Sequence, residues 1–198
     1  MGSASRAAAL AAVACFVGGA VAVTVAVVAG PAAGWTGYVS EAGIGSGGYP
    51  AVYRIGVLVF AAGLLPLSVV AAGTSRVAAA LFAGAAVGGA LSGVATCSEG
   101  CPLPPFEAAT VADLVHGVAS IAAVGACVLA MPVVATRATT RLRRASLAAA
   151  AVAFPLAAAV GVGMLTIGRG AVVGVTERVL LITVAVWLIT LAARLPER

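Results

Sequence analysis

Six apolar runs, each about as long as a bilayer is thick, dominate the chain. They read at 7–29, 55–72, 77–95, 113–135, 145–167 and 175–193. A helix rises about 1.5 Å per residue, so roughly 20 apolar residues cross a hydrocarbon core of about 30 Å. Lipid offers no hydrogen-bond partners, so a spanning backbone must satisfy itself as a helix or a closed barrel. These runs are continuously apolar and rich in Ala, Val and Leu, without the alternating polarity of barrel strands. The expected fold is an all-α membrane protein: one six-helix transmembrane bundle occupying residues 1–198.

The composition agrees. Hydrophobic residues make up 63% of the chain and charged ones only 9%, against about 25% charged in soluble domains. That excludes a soluble globular enzyme, a disordered chain and a nucleic-acid-binding domain. The net charge of +5 comes from arginines that lie beside the ends of the apolar runs, which is a topology signal. Arg6, Arg76, Arg137, Arg141, Arg143, Arg144, Arg194 and Arg198 fall on one side. Arg54, Arg169 and Arg178 fall on the other, with Glu41, Glu99, Glu107, Asp113 and Glu177. The positive-inside rule then puts both termini in the cytoplasm of a multi-pass plasma-membrane protein. The first run is longer than the h-region of about 7–15 residues in a signal peptide, so it is read as an uncleaved helix.

The connections alternate. Thr74-Ser75-Arg76 and 137–144 are short and basic, whereas 30–50, 96–110 and 168–174 are rich in Gly, Pro and polar residues. Pro66 and Pro155 fall within the second and fifth runs and can bend them. Gly84-x-x-x-Gly88 and Gly89-x-x-x-Gly93 give the third helix small faces for close packing. Such faces also leave room for association with copies of itself or with other subunits.

The polar chemistry gathers at the non-basic ends. Cys97-Ser98-Glu99-Gly100-Cys101-Pro102 suggests a local disulfide in an oxidising compartment. Redox exchange and soft-metal binding are the competing readings, since C-x-x-x-C-P followed by a histidine also resembles copper-delivery loops. Thr110-Val-Ala-Asp113 has capping-box spacing. Asp113, His116, Ser120 and Cys127 form a polar stripe on the fourth helix, which should face the bundle interior. His116 is the sole histidine, so a multi-histidine metal site within one chain is excluded, and no metal or cofactor is expected. Asp113 and His116 are the expected acid/base pair, Asp113 orienting the imidazole. Glu177 is a third catalytic candidate, because a carboxylic acid can donate a proton. Arg54, Asp113, His116 and Glu177 are expected at similar depth, as a charge-compensated cluster. Trp35, Tyr53, Glu41 and Ser120 complete the expected substrate contacts, the long 30–50 connection covering the mouth. Cys15 and Cys127 lie deep in apolar runs and read as packing residues.

Gly34-Trp35 with Ser40-Glu41, Tyr53-Arg54-Ile55-Gly56, the Cys97–Cys101 loop with Pro102, Asp113-Leu114-Val115-His116-Gly117 and Glu177-Arg178 resemble the bacterial six-span membrane family catalogued as domain of unknown function 998. The resemblance runs over nearly the whole chain. It implies six helices and a polar outer face, and carries no common activity.

Three functions fit these residues. The first is binding or conversion of an amphipathic lipid, prenyl or quinone-like molecule entering from the outer leaflet. The second is a small transporter or proton-coupled carrier, disfavoured by the lack of an internal repeat. The third is a structural or assembly subunit of a membrane complex. Membrane lipids and an amphipathic small molecule are the expected partners, and nucleic acid is not.

Overall fold

The computed structural model describes residues 3–31 and 37–194. Six helices follow one another: α1 (Ser3–Ala29), α2 (Gly48–Ala72), α3 (Arg76–Val94), α4 (Val111–Arg137), α5 (Thr140–Thr166) and α6 (Ala171–Arg194). All six are long and apolar enough to cross a membrane. A 3₁₀ turn, Val39–Gly43, is the only other helical element among the described residues. Each helix packs on its neighbours in the chain, and α6 returns to pack on α1, so the bundle closes into a ring. Cys127, Met131, Leu67, Phe16, Phe82 and Leu188 fill its middle.

The helices begin earlier than the apolar runs do. Helix α2 starts at Gly48, not near 55, because Pro50 sits in the first turn, where its missing N–H costs nothing. Helix α5 starts at Thr140, so the basic stretch Arg141–Arg144 is the first turn of a helix and not a connection; only Ala138 and Thr139 link α4 to α5. Ser75 caps α3 by accepting the Ala78 N–H at 3.2 Å. Pro66 and Pro155 lie within helices as expected, and Pro132 does so too.

Close packing depends on glycine at a few crossings. A Cβ at Gly19 would stand 2.7 Å from the Gly56 carbonyl oxygen, so α1 and α2 touch backbone to backbone there. Gly88 brings α3 equally close to α4, where a Cβ would lie 2.8 Å from the Ala119 carbonyl oxygen. Gly84, its partner in the sequence pattern, has open space beside it. Between α5 and α6, the buried Trp187 indole N–H donates to Ser146 Oγ at 3.1 Å, satisfying two polar groups inside an apolar layer.

This topology sorts the chain into two ends. The α2–α3 and α4–α5 turns mark the arginine end. The 3₁₀ turn, the Cys97–Cys101 loop and the α5–α6 turn mark the loop end, where most of the expected site residues lie. A cleft of only about 10 Å³ opens at the arginine end, between Thr74, Ser75, Phe82 and Arg137. It has room for about one water and touches none of the expected site residues.

Candidate functional site

Asp113 is built into the start of α4. Helix N-termini leave backbone N–H groups without partners, and a capping box satisfies two of them. Thr110 Oγ1 accepts the Asp113 N–H at 3.2 Å, and Asp113 Oδ2 accepts the Thr110 N–H at 2.7 Å. The Thr110 hydroxyl also donates to Oδ2 at 2.7 Å. The other carboxylate oxygen takes the Ser98 N–H at 2.6 Å and its hydroxyl at 2.9 Å. One fully buried carboxylate therefore fastens the Cys97–Cys101 loop onto α4.

His116 lies one turn further along α4 and uses different partners. Its Nδ1 is 2.9 Å from the Ser92 carbonyl oxygen and 2.8 Å from that of Ala95. Carbonyl oxygens only accept, so Nδ1 carries a hydrogen, which selects the tautomer whose lone pair falls on Nε2. Both carbonyls belong to the end of α3, where backbone acceptors lack helical partners. The ring is thereby locked at the α3–α4 crossing. Ser120 Oγ donates to the His116 carbonyl at 2.8 Å, so the Ser92 hydroxyl donates to Ser120 Oγ at 2.7 Å.

The disulfide Cys97–Cys101 closes the adjoining loop. Its turn needs two residues in the left-handed region, Gly100 at φ 80° and Cys101 at φ 49°. Both sulfurs and a ring nitrogen of His116 fall within 4.8 Å of one another, and all three residues are buried. Among the described residues, these three form a set of side chains that could hold a metal.

The 3₁₀ turn lies against this loop and ties it to α6. Ser40 Oγ is 3.2 Å from Cys101 Sγ. The Val39 N–H donates to Glu177 Oε2 at 3.1 Å, and the Arg178 guanidinium donates to the Gly37 carbonyl. The Tyr38 N–H donates to Glu41 Oε1 at 2.9 Å. Glu41 receives Arg169 through Nε at 2.9 Å and a terminal nitrogen at 2.7 Å. Burial opposes ionisation of Glu41, but the Arg169 hydrogen bonds, the Tyr38 N–H and the Arg169 charge outweigh it and hold the carboxyl below the usual range. The Glu41 hydrogen bonds in turn hold Arg169 more firmly protonated. Burial, reinforced by the Glu177 charge, pushes the Tyr38 hydroxyl up.

The expected residues thus meet in a different pattern. Asp113 does not orient the His116 imidazole by a direct hydrogen bond: the carboxylate is taken up by Ser98 and Thr110, and the imidazole by α3 carbonyls. The expected cluster of Arg54, Asp113, His116 and Glu177 separates into three places. Arg54 donates to the Pro50 carbonyl at 3.3 Å and to that of Gly45, bracing the start of α2. Glu177 holds the 3₁₀ turn. Tyr53 is buried with Ala26, Val39 and Ala42. Ser120 does join His116, as the helical stripe requires. Trp35 lies outside the described residues. Sequence reasoning missed Ser92, Ser98 and Tyr38, and counted Arg169 only as a topology signal. Only Ser98 carried a signal, as the hydroxyl inside the cysteine loop.

Over residues 4–194 the chain matches the model of a family described as protein of unknown function (DUF998). No curated protein and no solved structure matches it.

Proposed function

For this chain, which belongs to the DUF998 family of membrane proteins of unknown function, we propose that the loop end binds or chemically converts an amphipathic molecule of the lipid, prenyl or quinone type. The observation that carries the reading is His116: a buried imidazole locked at the α3–α4 crossing, its Nδ1 hydrogen taken up by the Ser92 and Ala95 carbonyls. Ionisable groups at membrane depth are costly and tend to serve function. In this reading His116 is the acid/base group, and Asp113 is a positioning residue that acts through Ser98 and the cysteine loop. Glu41, Arg169 and Glu177 hold the 3₁₀ turn over the mouth, and Arg54 and Tyr53 frame its rim. The arginine end faces the cytoplasm of the plasma membrane, and the substrate arrives laterally from the opposite leaflet.

Photo-crosslinking tests this. The full chain in lipid nanodiscs is irradiated with diazirine-bearing phospholipid, prenyl and quinone analogues, and the adducts are mapped. Saturable labelling around α3, α4 and the 3₁₀ turn, competed by one unlabelled class and lost in His116→Ala with helicity retained, is the expected result. Labelling spread evenly over the outer helix surfaces, or unchanged in His116→Ala, overturns it.

A further inference from the structure

We propose that, with Cys97 and Cys101 reduced, their two sulfurs and the His116 imidazole form a three-ligand site for a thiophilic d¹⁰ cation, Cu(I) or Zn(II). The ligand set is chemically matched: thiolates favour Cu(I) and zinc, and imidazole suits both copper and zinc. Zn–S bonds of about 2.3 Å and Zn–N bonds of about 2.0–2.1 Å put neighbouring ligand atoms roughly 3.5–3.8 Å apart. Both sulfurs and one ring nitrogen of His116 already lie within 4.8 Å of one another. Closing the site shortens the sulfur–nitrogen separations by about 1 Å and, once the bridge is reduced, parts the two sulfurs from bonding distance by roughly 2 Å, both within the reach of side-chain rotation.

Four features of the surroundings favour a ligand set over a fortuitous contact. Metal-bound histidines usually donate their second ring N–H to a carbonyl or carboxylate, which fixes the tautomer. The single His116 Nδ1–H is shared between the Ser92 and Ala95 carbonyls, which leaves Nε2 as the nitrogen for a metal. The cysteine loop is held without help from the sulfur bridge, because Asp113 binds the Ser98 N–H and hydroxyl. Reducing the bridge leaves that anchor in place. Ser40 Oγ, 3.2 Å from Cys101 Sγ, can donate to a thiolate there. The Arg169 guanidinium packs over Gly100, 3.8 Å from where a Cβ would stand, and its charge favours thiolates in the loop.

The chemistry balances as two separate steps. A dithiol reductant exchanges with the Cys97–Cys101 disulfide, leaving two protein thiols and the oxidised reductant. The cation then displaces two thiol protons, forming two metal–sulfur bonds and one metal–nitrogen bond without change of its oxidation state. The disulfide form has no thiolates to offer, so oxidation and metal binding exclude each other. Bound metal would also take the Nε2 lone pair. The site stands independently of the amphipathic-substrate reading, since it is tested without any substrate present.

The test uses the full chain in lipid nanodiscs, reduced with dithiothreitol and desalted without oxygen. It is titrated with Co(II), the spectroscopic probe for zinc, and with Cu(I) against a chromophoric chelator. Expected is one equivalent of one or both ions per reduced chain, with thiolate-to-cobalt charge-transfer absorbance if cobalt binds, and none for the oxidised chain. About two protons are released per ion, so binding tightens as pH rises. Cys97→Ser/Cys101→Ser abolishes binding. His116→Ala weakens it at least about tenfold, the loss caused even by removing an outer-shell partner. If a variant fails to fold, wild-type chain alkylated at Cys97 and Cys101 after reduction replaces it. Failure of the reduced chain to bind either ion, binding that survives loss or alkylation of both cysteines, or equal affinity in folded His116→Ala overturns the proposal.

Discussion

Glu41 and Arg169, 128 residues apart in the chain, meet in a two-pronged ion pair at 2.9 and 2.7 Å. The carboxylate side chain is 5% exposed and the guanidinium 46%. That asymmetry sets the energetics. An exposed pair contributes about 0.2–1 kcal/mol, whereas stranding a fully buried charge costs about 3–5 kcal/mol. Arg169→Gln leaves Glu41 buried and should cost about 1–3 kcal/mol. Glu41→Gln removes the buried charge and should cost less. A double-mutant cycle on thermal unfolding in detergent reads the coupling, and equal losses in both single variants would contradict this account.

The same pair makes stability depend on pH in a defined direction. The folded Glu41 carboxyl ionises at lower pH than an unfolded one, whose usual value is about 4.3. The unfolded state therefore takes up protons first as pH falls. The contribution is fully present above the ordinary glutamate range and disappears as pH drops through the depressed folded value. The fall in melting temperature below pH 5 should shrink in Glu41→Gln relative to wild type.

Asp113→Ala should be among the costliest single substitutions at the loop end. It strips partners from the Ser98 and Thr110 N–H groups at once. A lost cap costs about 0.5–2 kcal/mol and a buried unsatisfied donor about 1–3 kcal/mol, so roughly 2–4 kcal/mol is expected. Asp113→Asn keeps acceptor oxygen and should lose about half as much. Limited proteolysis between residues 97 and 110 would report the released loop, and an Asp113→Ala chain as resistant as wild type would contradict the anchoring role.

The way this site was legible, and was not, follows from distance along the chain. Six spans could be read because lipid demands length and apolarity of each segment separately. The Thr110–Asp113 box could be read because capping is a contact between residues three apart. The pairing of Asp113 with His116 was inferred from the same helical spacing and did not hold, because both side chains found closer partners on other segments. Ser92 and Ala95 reach His116 only because Gly88 lets α3 and α4 approach, and Glu41 reaches Arg169 only because the ring closes. The Gly84-x-x-x-Gly88 spacing marks a close face on α3 but not which helix meets it, and the Glu41–Arg169 contact leaves no periodic trace. Helix starts were placed late for a simpler reason: Tyr49-Pro50 and Arg141–Arg144 are helical but lie outside the apolar runs used to find the spans.

Cys97 and Cys101 should be silent to a maleimide in the folded, oxidised chain and should report two thiols after reduction. Cys15 and Cys127 are free and supply the internal reference. Cys127 is 4% exposed and should label only on denaturation, reduced or not. Mass spectrometry of peptides spanning 97–101 separates the two pairs. Labelling of Cys97 in unreduced protein would remove the disulfide from the structure.

Glycines in the bundle should divide by what stands beside them and not by the G-x-x-x-G pattern. At Gly19 a methyl group would meet the Gly56 carbonyl oxygen at 2.7 Å and Phe60 Cβ at 2.8 Å. The first is backbone and cannot rotate away, so Gly19→Ala must push α1 off α2 along their shared face. Lost packing and overcrowding of this kind cost about 1–3 kcal/mol. At Gly84 nothing stands within 4 Å of a Cβ, although the residue belongs to the pattern. Gly84→Ala should therefore be neutral, or slightly stabilising because alanine is the better helix former. Gly88→Ala, with the Ala119 carbonyl at 2.8 Å, should behave like Gly19→Ala, and should also disturb the α3 carbonyls that hold His116. The buried Trp187 offers a fluorescence signal for unfolding in detergent. Equal melting temperatures for Gly84→Ala and Gly88→Ala would show that the α3–α4 crossing is not where the structure has it.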